Sequence, residues 1–396
     1  HYEDTSTQMV ALNIVYDVGA RDEHPEHTGF AHLFEHLMFG GSAHIPDYDT
    51  PLQLAGGENN AWTNNDITNY YLTVPKPNVE TAFWLESDRM LELAFSEQSL
   101  EVQRGVVMEE FKQRCLNQPY GDVGHLFRPL AFRVHPYRWP TIGKELSHIE
   151  QATLDEVKSF FYRFYAPNNA VLAVTGNISW DETVKLTEKW FAPIPRRNVP
   201  VRQLPQEPEQ TQERRLTVER NVPLDALFMG YHMCSREGAD YYAFDILSDI
   251  LSNGRSSRLN RRLVQEQNIF SGIDAYISGT RDAGLLQISG KPAAGVSLEQ
   301  AEAAVRKELE ELQRSPVDGQ ELEKVKNKFE STQIFGNINY LNVATNLAWF
   351  ELTGKAEDID LEVERYRSVT TEQLHTVAQR TFCESNAVVL YYKSDK

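Results

Sequence analysis

Gly29-Phe30-Ala31-His32-Leu33-Phe34-Glu35-His36-Leu37-Met38-Phe39-Gly40-Gly41 places two imidazoles and a carboxylate inside an apolar, helix-prone run. On an α-helix, residues four apart share a face, so His32 and His36 can hold one metal ion together. Glu35 follows His32 by three positions and adjoins His36, so its carboxylate approaches the same ion from the side. The order H-x-x-E-H reverses the commoner H-E-x-x-H zinc motif and asks for the same chemistry. Two neutral nitrogen ligands sit on a rigid element, with a carboxylate near enough to take a proton from metal-bound water. A histidine on an apolar helix face is more often a satisfied core residue than a ligand. Here, however, three polar groups at fixed offsets lie among Ala31, Leu33, Phe34, Leu37, Met38 and Phe39. Buried and unpartnered they would cost several kcal/mol, and a metal ion is the partner the pattern predicts.

Around the motif, Met9 to Tyr16 is β-branched and apolar and reads as a strand. Gly56-Gly57 turns the chain into a strand through Asn60-Ala61-Trp62-Thr63, with Thr68 to Val74 as its hairpin partner. Val79 to Phe95 and Glu97 to Cys115 have helical periodicity, with Ser96 as N-cap of the second. Asn169 to Val174 is a strand and Trp180 to Phe191 a helix. From Pro193 to Arg215 the chain is rich in Pro, Arg, Gln and Glu, a linker or extended edge segment. The order then begins again, with a strand over Ala226 to Met233 and a helix over Tyr241 to Leu251. Superposed on the motif helix, Asp245, Ser248 and Asp249 stand where His32, Glu35 and His36 stand. A duplicated α+β chain is predicted: 1–195 with the metal motif, a linker over 196–214, and 215–396 without the ligands. Each half is a mainly antiparallel β-sheet packed with α-helices.

A chain of 396 residues supports two cores of about 200 residues each. With 39 basic against 57 acidic side chains the net charge is −18, which argues against nucleic acid as a partner, since that requires a basic surface. It is compatible with attraction of basic peptides and equally with simple solubility. No run approaches the roughly 18 consecutive apolar residues of a membrane span. Cys115, Cys234 and Cys383 lie far apart and form neither a disulfide framework nor a thiolate zinc site. No signal peptide is present, although a leader or first strand upstream of His1 stays open. Cysteine usage favours a reducing cytoplasm, with the periplasm as the alternative.

A catalytic zinc takes three protein ligands and keeps one position open. Gln103 to Lys112, in a helical stretch, offers Glu109 and Glu110. Adjacent helix positions point about 100° apart, so only one of them can face the ion. An isolated Glu-Glu pair would otherwise read as a solvated acidic face.

The whole chain resembles one half of the pitrilysin and mitochondrial-processing-peptidase family of zinc peptidases, the inverzincins. The residues that carry the likeness are His32-x-x-Glu35-His36, Gly56-Gly57-x-x-Asn60-Ala61-x-Thr63, Val106-Val107-x-Glu109-Glu110, His135-Pro136-Tyr137 with Ile142-Gly143, and Tyr165-x-Pro167-Asn168-Asn169-Ala170. The resemblance is specific over the first half and looser over the second. It implies one Zn2+ per chain held by His32, His36 and Glu110, with Glu35 as the base that activates zinc-bound water. It also implies a peptide substrate paired as an added strand on Asn60, Ala61 and Trp62 in a closed chamber. An auxiliary carboxylate of many members falls on Gln103, which leaves Glu101 or Glu109 to substitute. An Arg and a Tyr in the C-terminal half of complete enzymes fall on Val264 and Ser271, and neither can do that work.

The resemblance therefore implies the zinc-bearing, half-size subunit of a bacterial metalloendopeptidase. Its expected partner is a homologous subunit that supplies the Arg/Tyr pair, with a homodimer as the alternative. A rival reading is a non-catalytic structural subunit like the core proteins of the bc1 complex, and another is a metal hydrolase with a non-peptide substrate. The Asn60-Ala61 edge suits an extended peptide and speaks against the latter.

Overall fold

The computed structural model describes residues 1–395 and divides them into two compact units. Each is built on one five-stranded, mainly antiparallel sheet packed with helices, the α+β architecture expected. In the first unit β1 (Tyr2–Glu3), β2 (Met9–Tyr16), β3 (Glu58–Thr63), β4 (Thr68–Pro75) and β5 (Ala170–Gly176) lie in the order β1-β5-β2-β4-β3. In the second, β6 (Arg214–Arg220), β7 (Ala226–His232), β8 (Phe270–Ile277), β9 (Leu285–Pro292) and β10 (Ala387–Ser394) lie in the order β6-β10-β7-β9-β8. The two orders coincide after a shift of five strands. Even the one parallel pairing recurs, β1 with β5 and β6 with β10. The duplication read from β2 and β7 thus extends to the whole sheet.

Alternation along β2 fixes what lies on each side of the first sheet. Val10 and Leu12 pack with Phe83 and Leu85 of the Val79–Leu91 helix, and Ile14 and Tyr16 pack with the motif helix. Ala11 and Val15 face the other way and meet Ala344 and Ala348 of the helix Tyr340–Thr353. Small side chains on both surfaces let that helix lie close to the strand. The second sheet is covered by the helix Val123–Ala131, whose Phe127 ring fills the place above Gly230 on β7. A Cβ at Gly230 would stand 2.8 Å from that ring, so glycine makes room for it.

These two helices come from the opposite halves of the sequence. The contiguous spans 1–195 and 215–396 contain the two sheets apart from Arg214, the first residue of β6. The compact units differ from them by exchange, the first taking 334–360 and the second taking 118–134. Helical periodicity announces an apolar face and leaves open which sheet that face covers.

One helix also ends earlier than its periodicity predicts, and another changes its winding. The first stops at Leu91 because Leu93 leaves to bridge Ser42. The second stops at Phe111 and widens into a π turn over Lys112–Leu116, closed by Asn117 N–H donating to the Lys112 carbonyl at 2.8 Å. The Pro-rich stretch forms no regular element before β6, yet it is pinned to the first unit. Arg197 donates to the carbonyls of Tyr165 and Leu91 at 2.5 and 2.7 Å, and Arg202 pairs with Asp17 at 2.7 Å and also with Asp22.

In the second unit Glu302, on the helix Leu298–Arg314, accepts from Arg215 of β6, Tyr391 of β10 and Arg306 of its own helix. Burial opposes ionisation there, but these donors outweigh it and bring the carboxyl from about 4.5 down to about 2. A carboxyl depressed by folding stabilises the protein fully above its unfolded value and loses that contribution as pH falls toward the folded value. Glu302→Gln should therefore cost on the order of 2 kcal/mol at neutral pH, and the deficit should shrink between about pH 4.5 and pH 2. Urea unfolding of parent and variant across that range measures the difference.

Candidate metal centre

The motif helix spans Phe30–Leu37. It starts at Gly29, whose φ of 89° lies in the left-handed region and whose missing side chain clears the Ile142 carbonyl, 2.9 Å from where a Cβ would sit. Glycine cannot cap the helix, and Glu23 does so instead. Its carboxylate accepts from the N–H groups of Gly29 and Ala31, both at 2.9 Å. One face of the helix is held by aromatic stacking, Phe34 against Phe160 and Tyr165 with ring centroids 5.1 Å apart in each case. The Tyr70 hydroxyl donates to the Phe34 carbonyl at 3.3 Å. With that face fixed, the 3.6-residue period turns His32 and His36 together toward the helix Glu97–Phe111. Ser96 caps this second helix by accepting from Ser99 N–H at 3.0 Å, and Glu110 stands in its last turn.

Glu110 Oε2 lies 3.4 Å from His32 Nε2 and 3.3 Å from His36 Nε2. Around a tetrahedral ion with bonds of about 2.0–2.1 Å, neighbouring ligand atoms are about 3.3–3.4 Å apart. Both distances from Glu110 are therefore those between corners of such a tetrahedron, and all three donor atoms lie within 4.8 Å of one another. Among the described residues this is the one cluster of three His, Cys, Asp or Glu side chains close enough to share an ion. Burial drives the His32 pKa down to about 4, which keeps the ring neutral as a metal ligand must be. The Glu110 carboxyl is held below its usual range, first by the His36 ring and then by His32 and Arg114, against the effect of burial. Glu35 is pushed up by burial, with the nearby Thr63 hydroxyl of β3 working the other way. The residues present fit a zinc ion.

The sequence left Glu109 and Glu110 competing until the family likeness was applied, and the structure separates them. Glu109 is 63% exposed and pairs with Lys112 at 2.6 Å, away from the histidines. Glu110 Oε1 pairs instead with Arg114 at 2.9 Å. Gln103 lies on the same helix near Gly40, and Glu101 pairs with Arg104, so neither brings a carboxylate to the centre. Asn60, Ala61 and Trp62 sit on β3, the edge strand of the first sheet, with Trp62 36% exposed. Val264 packs against the core of the second unit. Ser271 is exposed on β8 at a register shift, its hydroxyl donating to the Lys291 carbonyl at 3.1 Å. Asp245, aligned with His32 in the sequence reading, is half-buried and accepts from the Tyr366 hydroxyl. Sequence reasoning missed Thr63 as the neighbour of Glu35 and Arg114 as the partner of Glu110. The second was readable, because it stands four residues beyond Glu110 on a helical stretch.

Two histidines and a glutamate converging on one point, with a further glutamate beside them on a duplicated α+β scaffold, define the class of H-x-x-E-H metalloproteins. Residues 1–122 match the profile described as insulinase, peptidase family M16, and residues 151–329 match that of the peptidase M16 inactive domain. The chain belongs to the M16 family, the pitrilysin-like zinc peptidases, as a half-size bacterial-type member. Zinc protease PqqE of Helicobacter pylori is 26% identical over 397 residues, covering 98% of this chain and 89% of that protein. A crystal structure of a protease from Helicobacter pylori superposes with a TM-score of 0.91, covering 98% of this chain and 95% of the other at 26% identity. The periplasmic protease PqqL from Escherichia coli superposes at 0.80 with 18% identity, and there the chain covers 99% of itself but 46% of PqqL. No helix among the described residues is long and apolar enough to cross a membrane.

Loaded with zinc and dialysed, the parent chain should hold about one equivalent of metal. Glu110→Gln should hold well under half of that, whereas Glu109→Gln should match the parent. Metal analysis by mass spectrometry decides between the two carboxylates.

Proposed function

We propose that this chain is the metal-bearing subunit of a zinc metalloendopeptidase. The observation that carries the reading is the convergence of His32 Nε2, His36 Nε2 and Glu110 Oε2, with Glu35 on the same helix as the histidines. Zinc, when bound there, supplies Lewis-acid polarisation of a scissile carbonyl and acidifies a water molecule. Glu35 takes the proton of the attacking water and delivers it to the leaving amine. The free side of β3 accepts substrate main chain as an added strand, and this gives affinity with little demand on side-chain identity. Because Thr63 at the end of β3 lies near Glu35, a peptide paired along Asn60 to Thr63 is led toward that base. Peptides and unfolded segments fit such an edge, and folded proteins do not.

A homologous partner subunit completes the active site by supplying the Arg/Tyr pair and closing the chamber. Val264 and Ser271 support this reading, as neither side chain can contact a substrate in the way required. The length relation to PqqL agrees with it, since the first half of that protease aligns with this chain over 99% of its length at a TM-score of 0.79. The second reading, a non-catalytic subunit of the same fold, is favoured by the inactive-domain match over 151–329 together with the same two residues.

Cleavage of an unstructured peptide by the purified chain, alone and after addition of the homologous subunit, separates these readings. The proposal expects strong activity only in the mixture. Glu35→Gln should retain zinc and lose about 10²–10⁴-fold in rate. A variant that cleaves like the parent removes Glu35 as the base, full activity of the isolated chain removes the partner, and inactivity in every combination favours the structural subunit.

A further inference from the structure

The Glu109-Glu110 pair is sorted by two cations from the turn that follows it. Lys112 takes Glu109 at 2.6 Å and Arg114 takes Glu110 at 2.9 Å. Arg114 lies within the π turn Lys112–Leu116, so the helix changes its winding directly after the third ligand position. The Arg114 side chain is 67% exposed, and an ion pair so open to water adds little to fold stability. Its effect is on geometry. Arg114 meets Oε1 of Glu110, while both imidazoles face Oε2. A carboxylate with both oxygens free beside a divalent ion can bind through both and occupy the position that a catalytic site must keep open.

We propose that Arg114 is a positioning residue that engages Oε1 of Glu110 and thereby keeps Glu110 a one-oxygen ligand, leaving a coordination position free for water or substrate. The proposal rests on the metal-centre reading above. It also gives this chain a device of opposite charge to the auxiliary carboxylate that Gln103 lacks. A cation on the ligand carboxylate draws charge away from the ion and makes it a stronger Lewis acid, where an extra carboxylate would do the reverse.

The test is the visible absorption of the cobalt(II)-substituted chain, a readout that follows coordination number rather than turnover. The parent should show the intense band of a four-coordinate centre. Arg114→Ala should bind cobalt with a band weaker by roughly half or more, as a fifth ligand atom enters. Arg114→Lys should restore the parent band, because one N–H donor suffices to engage Oε1 of Glu110. The metal-free thermal midpoints of all three should agree, which excludes a general loss of fold. A parent-like band in Arg114→Ala, with normal metal content, overturns the role of Arg114 and leaves the metal centre intact. Failure of the parent itself to bind one equivalent of cobalt overturns the metal centre and this proposal with it.

Discussion

The stacking of Phe34 on Phe160 and Tyr165 is the contact on which the site depends. A helix of eight residues has no independent stability in water, and its rotation about its own axis is set by whichever face is buried. Once Phe34 is packed against both rings, His32 and His36 have one direction left to point. Glu23 fixes the other degree of freedom by holding the first turn by its free N–H groups. The donor set is thus presented by a helix whose angle and depth are decided by apolar and aromatic contacts.

The duplicated sheet shows how such a site is separable from its scaffold. The second unit repeats the strand order, and Asp245, which the sequence aligns with His32, accepts there from the Tyr366 hydroxyl. One scaffold therefore accommodates either a metal-ligating cluster or a self-contained hydrogen-bonded pair at the same place. Retention of the fold says nothing by itself about chemistry, and the weight of the functional reading falls on four side chains of the first unit.

Much of this was legible in the residues. The spacing of His32, Glu35 and His36 announces a metal site with no knowledge of the fold, because helical period and ligand chemistry agree. The strand β2 and the hairpin of β3 and β4 followed from alternation and from Gly56-Gly57. What could not be read was anything that depends on which surfaces meet. Nothing local tells that Glu110 rather than Glu109 faces the histidines, since the two differ only by 100° of helix rotation. The π turn that brings in Arg114 has no compositional mark. The early end of the Val79–Leu91 helix is a tertiary effect, a strand-like bridge from Leu93 to Ser42 outcompeting local propensity.

The exchanged helices carry a consequence for how the chain folds. Thr345 donates to Asn13 at 3.2 Å across a sequence separation of 332 residues, and Ala344 and Ala348 cover Ala11 and Val15 on β2. During synthesis the outer surface of the first sheet stays uncovered until the helix Tyr340–Thr353, far downstream of β2 in the sequence, has left the ribosome. The first unit is thus a late-maturing structure with a long exposed intermediate, the kind of species that chaperones capture and that aggregation competes for. A break anywhere in the Pro-rich strap would yield two fragments that each lack the lid over their own sheet.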